Sequence, residues 1–224
     1  MTSLQALTQV KRKLGLNKVG HLGTLDPAAC GVLVLLCGRA TKLTNQLHAG
    51  GKVYRTLIVW QKETDTLDDD GVVIARSDVC PTVEQIDAVL PNLVGDVTIT
   101  IPRYSAVHIN GQRAYDLARQ GVDFIPPQKM VRVDRFTLLP TDQCVADLAA
   151  IGENYQLPDH ANYFEIVCEA GTYVRSLAKL LAEKLGTVAT ASVILRTRTG
   201  TFDIKDAVPL NLVRLSDLQP LKEF

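Results

Sequence analysis

Apolar residues recur in the first segment, SLQALTQVKRKL (3–14), at Leu4, Leu7, Val10 and Leu14. This roughly helical spacing, closed by Gly15, predicts a short amphipathic helix. The pattern changes at GKVYRTLIVW (51–60), which is rich in β-branched and aromatic residues and predicts a strand. Its alternation puts Tyr54, Thr56, Ile58 and Trp60 on one face, and Val53, Arg55, Leu57 and Val59 on the other. Helical spacing returns in PTVEQIDAVLPNLVG (81–95). There Thr82 and Gln85 form a capping-box pattern, Ile86, Val89, Leu90 and Leu93 form the buried stripe, and the helix ends near Pro91 to Gly95. Residues 101–121, IPRYSAVHINGQRAYDLARQG, pass from an extended piece through an Asn110-Gly111 turn into a short helix. In NYFEIVCEAGTYVRSLAKLLAEKLG (162–186), Phe164, Ile166 and Cys168 alternate with Glu165, Val167 and Glu169. A helix follows with Leu177, Leu180, Leu181 and Leu185 inward and Gly186 as its cap. VILRTRTGTF (193–202) predicts a further strand, and no internal repeat or Ser- or Pro-rich linker divides the chain.

Three stretches carry candidate chemistry. GHLGTLDPAACGVL (20–33) sets His21 and Asp26 on a Gly-punctuated turn, with Pro27 fixing the chain beyond the carboxylate, before the apolar run Val32 to Cys37. Asp26 is then either a turn or cap residue or a carboxylate held at a pocket mouth. TDTLDDDG (64–71) superficially suggests calcium, but with Gly71 at the sixth place of an EF-hand loop the first and twelfth places are Thr66 and Ser77, where carboxylates are required. A solvated loop is the expectation there. Arg175 falls in the first turn of its helix, the unfavourable end of the dipole for a cation, so a carboxylate or phosphate partner is expected for it.

Composition narrows the class. At 46% hydrophobic and 21% charged, the 224 residues read as an ordinary globular protein large enough for a real core. No apolar run of membrane-spanning length and no export signal is visible, so a cytoplasmic location is the expectation. The five cysteines are scattered and never form a Cys-x-x-Cys pair, which indicates neither a disulfide framework nor a zinc site. The formal net charge of zero hides an asymmetry. Residues 1–60 hold eight Lys or Arg (11, 12, 13, 18, 39, 42, 52 and 55) against one acid, Asp26. A local positive surface of this kind can hold a phosphate backbone whatever the total charge, because screening confines each charge to about 8–10 Å.

Four separated stretches together resemble the TruB family of pseudouridine synthases. They are GHLGTLDPAACGVL with GRATK (38–42), KVYRTLIVWQKETDTLDDDG (52–71), RYSAVHINGQRAYDLARQG (103–121), and CEAGTYVRSLAKLLAEKLG (168–186) with LRTRTGTF (195–202). The resemblance implies an α+β pseudouridine synthase fold: a mixed, largely antiparallel sheet flanked by helices, with the active site in a central cleft, and residues 1–224 forming one catalytic domain. It implies isomerisation of uridine to pseudouridine at position 55 in the T-loop of tRNA, without metal or other cofactor, membrane or obligate protein partner. Asp26 matches the family's catalytic aspartate, His21 a histidine that helps displace the target base, and Tyr54 the tyrosine that stacks on it. Tyr173, Arg175 and Leu195 match further pocket residues, with Arg175 the expected ion-pair partner of Asp26 in a site that excludes water, and Leu195 an apolar wall.

Departures from the family pattern carry expectations of their own. The chain begins at the equivalent of Thr2-Ser3 in a segment that is usually Lys-Pro-x-Gly-x-Thr-Ser, so a strand supporting the catalytic loop is expected to be missing or supplied differently. Leu22 and His108 stand where threonine and lysine are common, and no PUA-like domain is evident. The missing start motivates an alternative: a catalytically weak tRNA-binding or folding chaperone on the same scaffold. A guide-dependent relative acting inside an H/ACA ribonucleoprotein is less favoured, since no long basic tail is visible.

Overall fold

A computed structural model describes residues 1–48 and 50–220. Helix α1 (Ser3–Lys13) starts at a capping box in which the Thr2 and Gln5 side chains satisfy each other's backbone amides. Its buried stripe is narrower than its pattern suggested: Leu7 and Val10 are inside, whereas Leu4 is 66% exposed. The stretch that read as a turn and an apolar run is instead three short strands, β1 (Val19–Leu22), β2 (Ala29–Gly31) and β3 (Val34–Cys37), so His21 lies on a strand and only residues 23–28 form the loop. Helix α2 (Thr44–His48) leads to β4 (Lys52–Trp60), then β5 (Lys62–Thr64) and β6 (Val73–Arg76). Next come α3 (Val83–Val89), extended by a tighter turn at Leu90–Leu93, and β7 (Gly95–Thr100). A small hairpin, β8 (His108–Ile109) and β9 (Gln112–Arg113), turns at Asn110 and Gly111, both at positive φ, and runs into α4 (Ala114–Arg119). The remainder is β10 (Gln128–Leu139), α5 (Gln143–Ala150), β11 (Ala161–Cys168), α6 (Val174–Lys184), β12 (Ala189–Thr199) and β13 (Phe202–Asp203).

The main sheet runs β13-β12-β4-β11-β10-β7 with antiparallel neighbours, and β2 adds to β12 in parallel. It is therefore mixed and largely antiparallel. Its central strand β4 is buried on both faces, which is why both of its alternating sets are apolar. Tyr54, Ile58 and Trp60 join Phe164, Ile166 and the inward residues of α3 and α6 in one core. Leu57 and Val59 join Tyr163, Val193, Leu195 and the α5 residues Cys144 and Leu148 in a second core across the sheet. Edge-on contacts of Phe164 with Trp60 (6.4 Å) and Phe136 (5.5 Å) tie three strands together in the first core. No helix among the described residues is long and apolar enough to cross a membrane.

Burial also sets a limit on alkaline stability. It pushes the Cys168 thiol up to about 11, and the Cys144 thiol and the Tyr54 phenol up to about 12. In the unfolded chain these groups lose their protons near the ordinary 9.0 and 10.0. Between those limits the native state holds more protons than the unfolded state, so stability is full below pH 9 and falls as pH rises. Thermal melts from pH 8.5 to 11 are expected to show a steady fall in midpoint, each group contributing up to about 1.4 kcal/mol per pH unit. A flat profile would contradict burial of the neutral forms.

Candidate active site

The loop carrying Asp26 is fixed from several directions. Gly23 takes φ 68°, a left-handed turn that suits glycine. The Ala29 amide donates to the Asp26 carbonyl at 2.9 Å, closing a turn with Pro27 at its second position. From α1, the Ser3 hydroxyl accepts from the Leu25 amide (2.9 Å) and lies 3.3 Å from the Leu25 carbonyl. The start of the first helix thus props the loop one residue before the carboxylate.

Arg175 meets that carboxylate from α6. Its Nε and Nη2 each lie 2.8 Å from Asp26 Oδ2. Nη1 donates to the Thr66 carbonyl (2.7 Å) and Nη2 to the Tyr104 carbonyl (3.2 Å), while Asp68 Oδ2 stands 3.5 Å from Nη1. Arg175 is 4% exposed by side chain and Asp26 is 36% exposed, so the guanidinium is sealed within the protein while one face of the carboxylate stays open. The carboxylate expected to be shut off from water is thus partly open to solvent. The anticipated partner for a cation in the first turn of α6 is present twice, as Asp26 and Asp68.

Asp68 corrects the reading of 64–71 as a solvated loop. Thr64 and Asp68 are buried, and the segment bridges to Ala191 of β12. Leu67 takes φ 64°, turning the chain so that Asp68 points inward, where Thr66 Oγ1 donates to its Oδ1 at 2.6 Å. Burial pushes the Asp68 carboxyl up, against the opposing pull of the Thr66 hydroxyl and Arg175. Asp65 accepts from the Tyr104 hydroxyl at 3.0 Å and Asp69 pairs with Lys62, so these two acids serve structural contacts, while Asp69 and Asp70 lie exposed as a solvated loop would have them. Among the described residues no group of three or more His, Cys, Asp or Glu is placed to hold a metal ion.

Tyr54 and Tyr173 lie close enough to Asp26 to feel its charge. Burial pushes both phenols up, that of Tyr54 to about 12, so both are neutral hydrogen-bonding groups at pH 7. His21 is pulled down by burial and by the Arg196 guanidinium, and its Nδ1 is buried without a partner. Leu195 departs from the expected constellation. The register pairs Leu195 with Arg55 and Arg196 with Tyr54, and paired residues share a face. Leu195 therefore packs with Leu57, Val59 and Tyr163 on the far side of the sheet, and Arg196 takes the side of the site. Alternation along β12 separates Arg196 from Leu195, but only the register against β4 puts Arg196 on the face of Tyr54.

The motif that matches the chain at family level is described as TruB family pseudouridylate synthase (N terminal domain), over residues 11–174. The chain belongs to the TruB family. Among its TruB relatives, tRNA pseudouridine synthase B of Caulobacter vibrioides is 40% identical over 210 residues, covering 94% of this chain and 63% of that protein. The protein of the same name from Borreliella burgdorferi (strain ZS7) is 36% identical over 226 residues, covering 100% of this chain and 75% of that one. The chain thus spans just under two thirds of the Caulobacter protein's length. A crystal structure of a Cbf5-Nop10-Gar1 complex superposes with a TM-score of 0.63 at 26% identity, over 91% of this chain and 46% of that chain. An archaeal box H/ACA sRNP Nop10-Cbf5 complex gives 0.62 at 25% identity, over 94% and 48%. The TruB match encloses Asp26, Tyr54 and Tyr173, while Arg175, which pairs with Asp26, follows its last residue.

Proposed function

We propose that the chain isomerises uridine to pseudouridine in tRNA, at position 55 of the T-loop, with Asp26 as the catalytic residue. The observation that carries this reading is the paired, half-open Asp26 carboxylate, with Arg175 behind it and two neutral tyrosines beside it, in a chain of the TruB family.

The reaction breaks the N1–C1′ bond, turns the uracil, joins C5 to C1′ and releases the proton from C5. None of this can happen in a stacked base, so the nucleotide must be extruded into the site. Departure of uracil leaves its bonding electrons on N1 and electron deficiency at C1′, which the Asp26 carboxylate answers either by attack on the sugar carbon or by removing the neighbouring C2′ proton to give a glycal. Both routes need the carboxylate held against the sugar, and the Arg175 guanidinium, 2.8 Å from its Oδ2, fixes its position. Tyr54 supplies a ring face for the turning uracil, and its hydroxyl is a candidate near C5, where the last proton leaves. His21, neutral at pH 7, is suited to filling the space of an extruded base.

Release of tritium from an unmodified tRNA transcript labelled at uracil C5 tests this directly. Stoichiometric release at one uridine per tRNA is the expected result. Tight binding without release would instead support the chaperone alternative.

Six of the eight basic residues in the first sixty (Lys11, Arg12, Lys13, Lys18, Arg39 and Lys42) are exposed, as a phosphate-binding surface requires. Affinity for tRNA is therefore expected to fall linearly in a plot of log K against log salt, with a slope of about −0.7 to −0.9 per phosphate contact. Affinity unchanged by salt in a filter-binding titration would remove that surface from the RNA contact.

A further inference from the structure

Arg196 is 1% exposed, yet among the described residues no carboxylate lies within ion-pair distance of it. Two of its N–H groups donate to main-chain carbonyls, Nε to Val32 (2.8 Å) and Nη2 to Gly23 (3.1 Å), and the guanidinium also lies against the Tyr54 side chain. These two carbonyls stand at the two ends of the segment that presents Asp26. The Arg196 carbonyl in turn accepts from the Val32 amide at 2.9 Å, in the parallel pairing of β2 with β12. Gly31 permits this approach, since a Cβ there would lie 2.3 Å from the Arg196 carbonyl oxygen. The register of β12 against β4 shifts immediately afterwards, between Arg196 and Arg198, an irregularity of the kind that re-aims a side chain.

Burying a guanidinium without a counter-charge is costly, and an apolar residue on this strand would avoid the cost. What the cation gains is a planar fork that reaches two carbonyls at once, which a lysine ammonium on its flexible stem does not reproduce. We infer that Arg196 is a positioning residue: it clamps residues 23 and 32, spans the Asp26 loop from behind, and thereby fixes the carboxylate in register with Arg175 and Tyr54. Arg175 holds the carboxylate, and Arg196 holds the backbone that carries it. The inference rests on the proposed isomerase reading, because its consequence is a rate.

The test is Arg196→Lys in the full chain, with single-turnover tritium release, tRNA affinity and thermal melting measured beside wild type. A displacement of about 1 Å at a catalytic group can cost on the order of 10²-fold in rate. The expected result is a loss of that size, with tRNA affinity within about threefold of wild type and a cooperative melt, a split that general loosening of the fold would not produce. A rate within about threefold of wild type, or a fall in affinity that accounts for the whole loss, overturns the inference. Wild type that binds tRNA without turnover overturns the isomerase reading itself, and the positioning role with it. Amide exchange in the unaltered chain gives a check independent of whether the variant folds. The Val32 amide is expected to exchange as slowly as those of β4; exchange on the scale of a free surface loop would overturn the clamp.

Discussion

Asp26→Asn is expected to lower pseudouridine formation by at least about 10⁴-fold, to a level indistinguishable from no enzyme in a single-turnover assay. The substitution is nearly isosteric but removes the negative charge, and an amide neither attacks C1′ nor removes a sugar proton. The loss should be confined to chemistry. Arg175 keeps its bonds to the Thr66 and Tyr104 carbonyls and its approach to Asp68, so the buried cation is not abandoned. With the carboxylate half-open to solvent, the melting temperature should change little. Tritium release, calorimetry and RNA binding on one preparation check all three parts. A variant that retains turnover would place the chemistry elsewhere.

Arg175→Met produces the reverse balance, with stability falling alongside activity. Methionine fills part of the volume but leaves Asp68, 3% exposed, as a buried carboxylate with no cation beside it. It also leaves the Thr66 and Tyr104 carbonyls short of a donor. Breaking a buried pair in this way costs about 3–5 kcal/mol, or roughly 6–20 °C in melting temperature for a domain of this size. The pH dependence identifies the cause. Burial already pushes the Asp68 carboxyl up, and without Arg175 it must rise further. A carboxyl raised above its unfolded value favours the native state at low pH and loses that support as pH increases. The gap between variant and wild type should therefore narrow from pH 7 to pH 5. A gap independent of pH would mean that the lost packing of the side chain, and not Asp68, accounts for the change.

The contrast between Asp68 and Asp26 shows what was legible in the chain. Asp26 stood out as the one acid in a basic stretch, on a turn with Pro27 after it, but the residues alone left a turn residue and a pocket carboxylate equally open, and the family resemblance supplied the second reading. Arg175 stood out because a cation in the first turn of a helix needs a compensating anion. Asp68 sits in a run of acids that reads as solvated, and its burial depends on the turn at Leu67 and the bridge to Ala191, contacts remote in sequence. Ser3 is similar: nothing local says that a residue opening a helix will support a loop twenty-two residues on.

Alternation served the fold well where it was unbroken. It gave both faces of β4 and the inward set of β11, and the Thr82 capping box marked the start of α3. β10 was not read from the pattern at all: its register shifts between Val133 and Arg135, so its buried residues Val131, Val133 and Phe136 do not keep a period of two. Alternation was not applied to β12, where it would have placed Leu195 opposite Arg196. Because each residue along a strand changes face, matching a motif position does not by itself say which side of the sheet a side chain occupies.

The most direct measurement is a nucleotide-resolution map of pseudouridine in an otherwise unmodified tRNA transcript after incubation with the wild-type chain and, in parallel, with Asp26→Asn. The account predicts one new pseudouridine, at position 55, made by wild type alone. No pseudouridine from a folded, RNA-binding wild type, or the same map from both proteins, would contradict it.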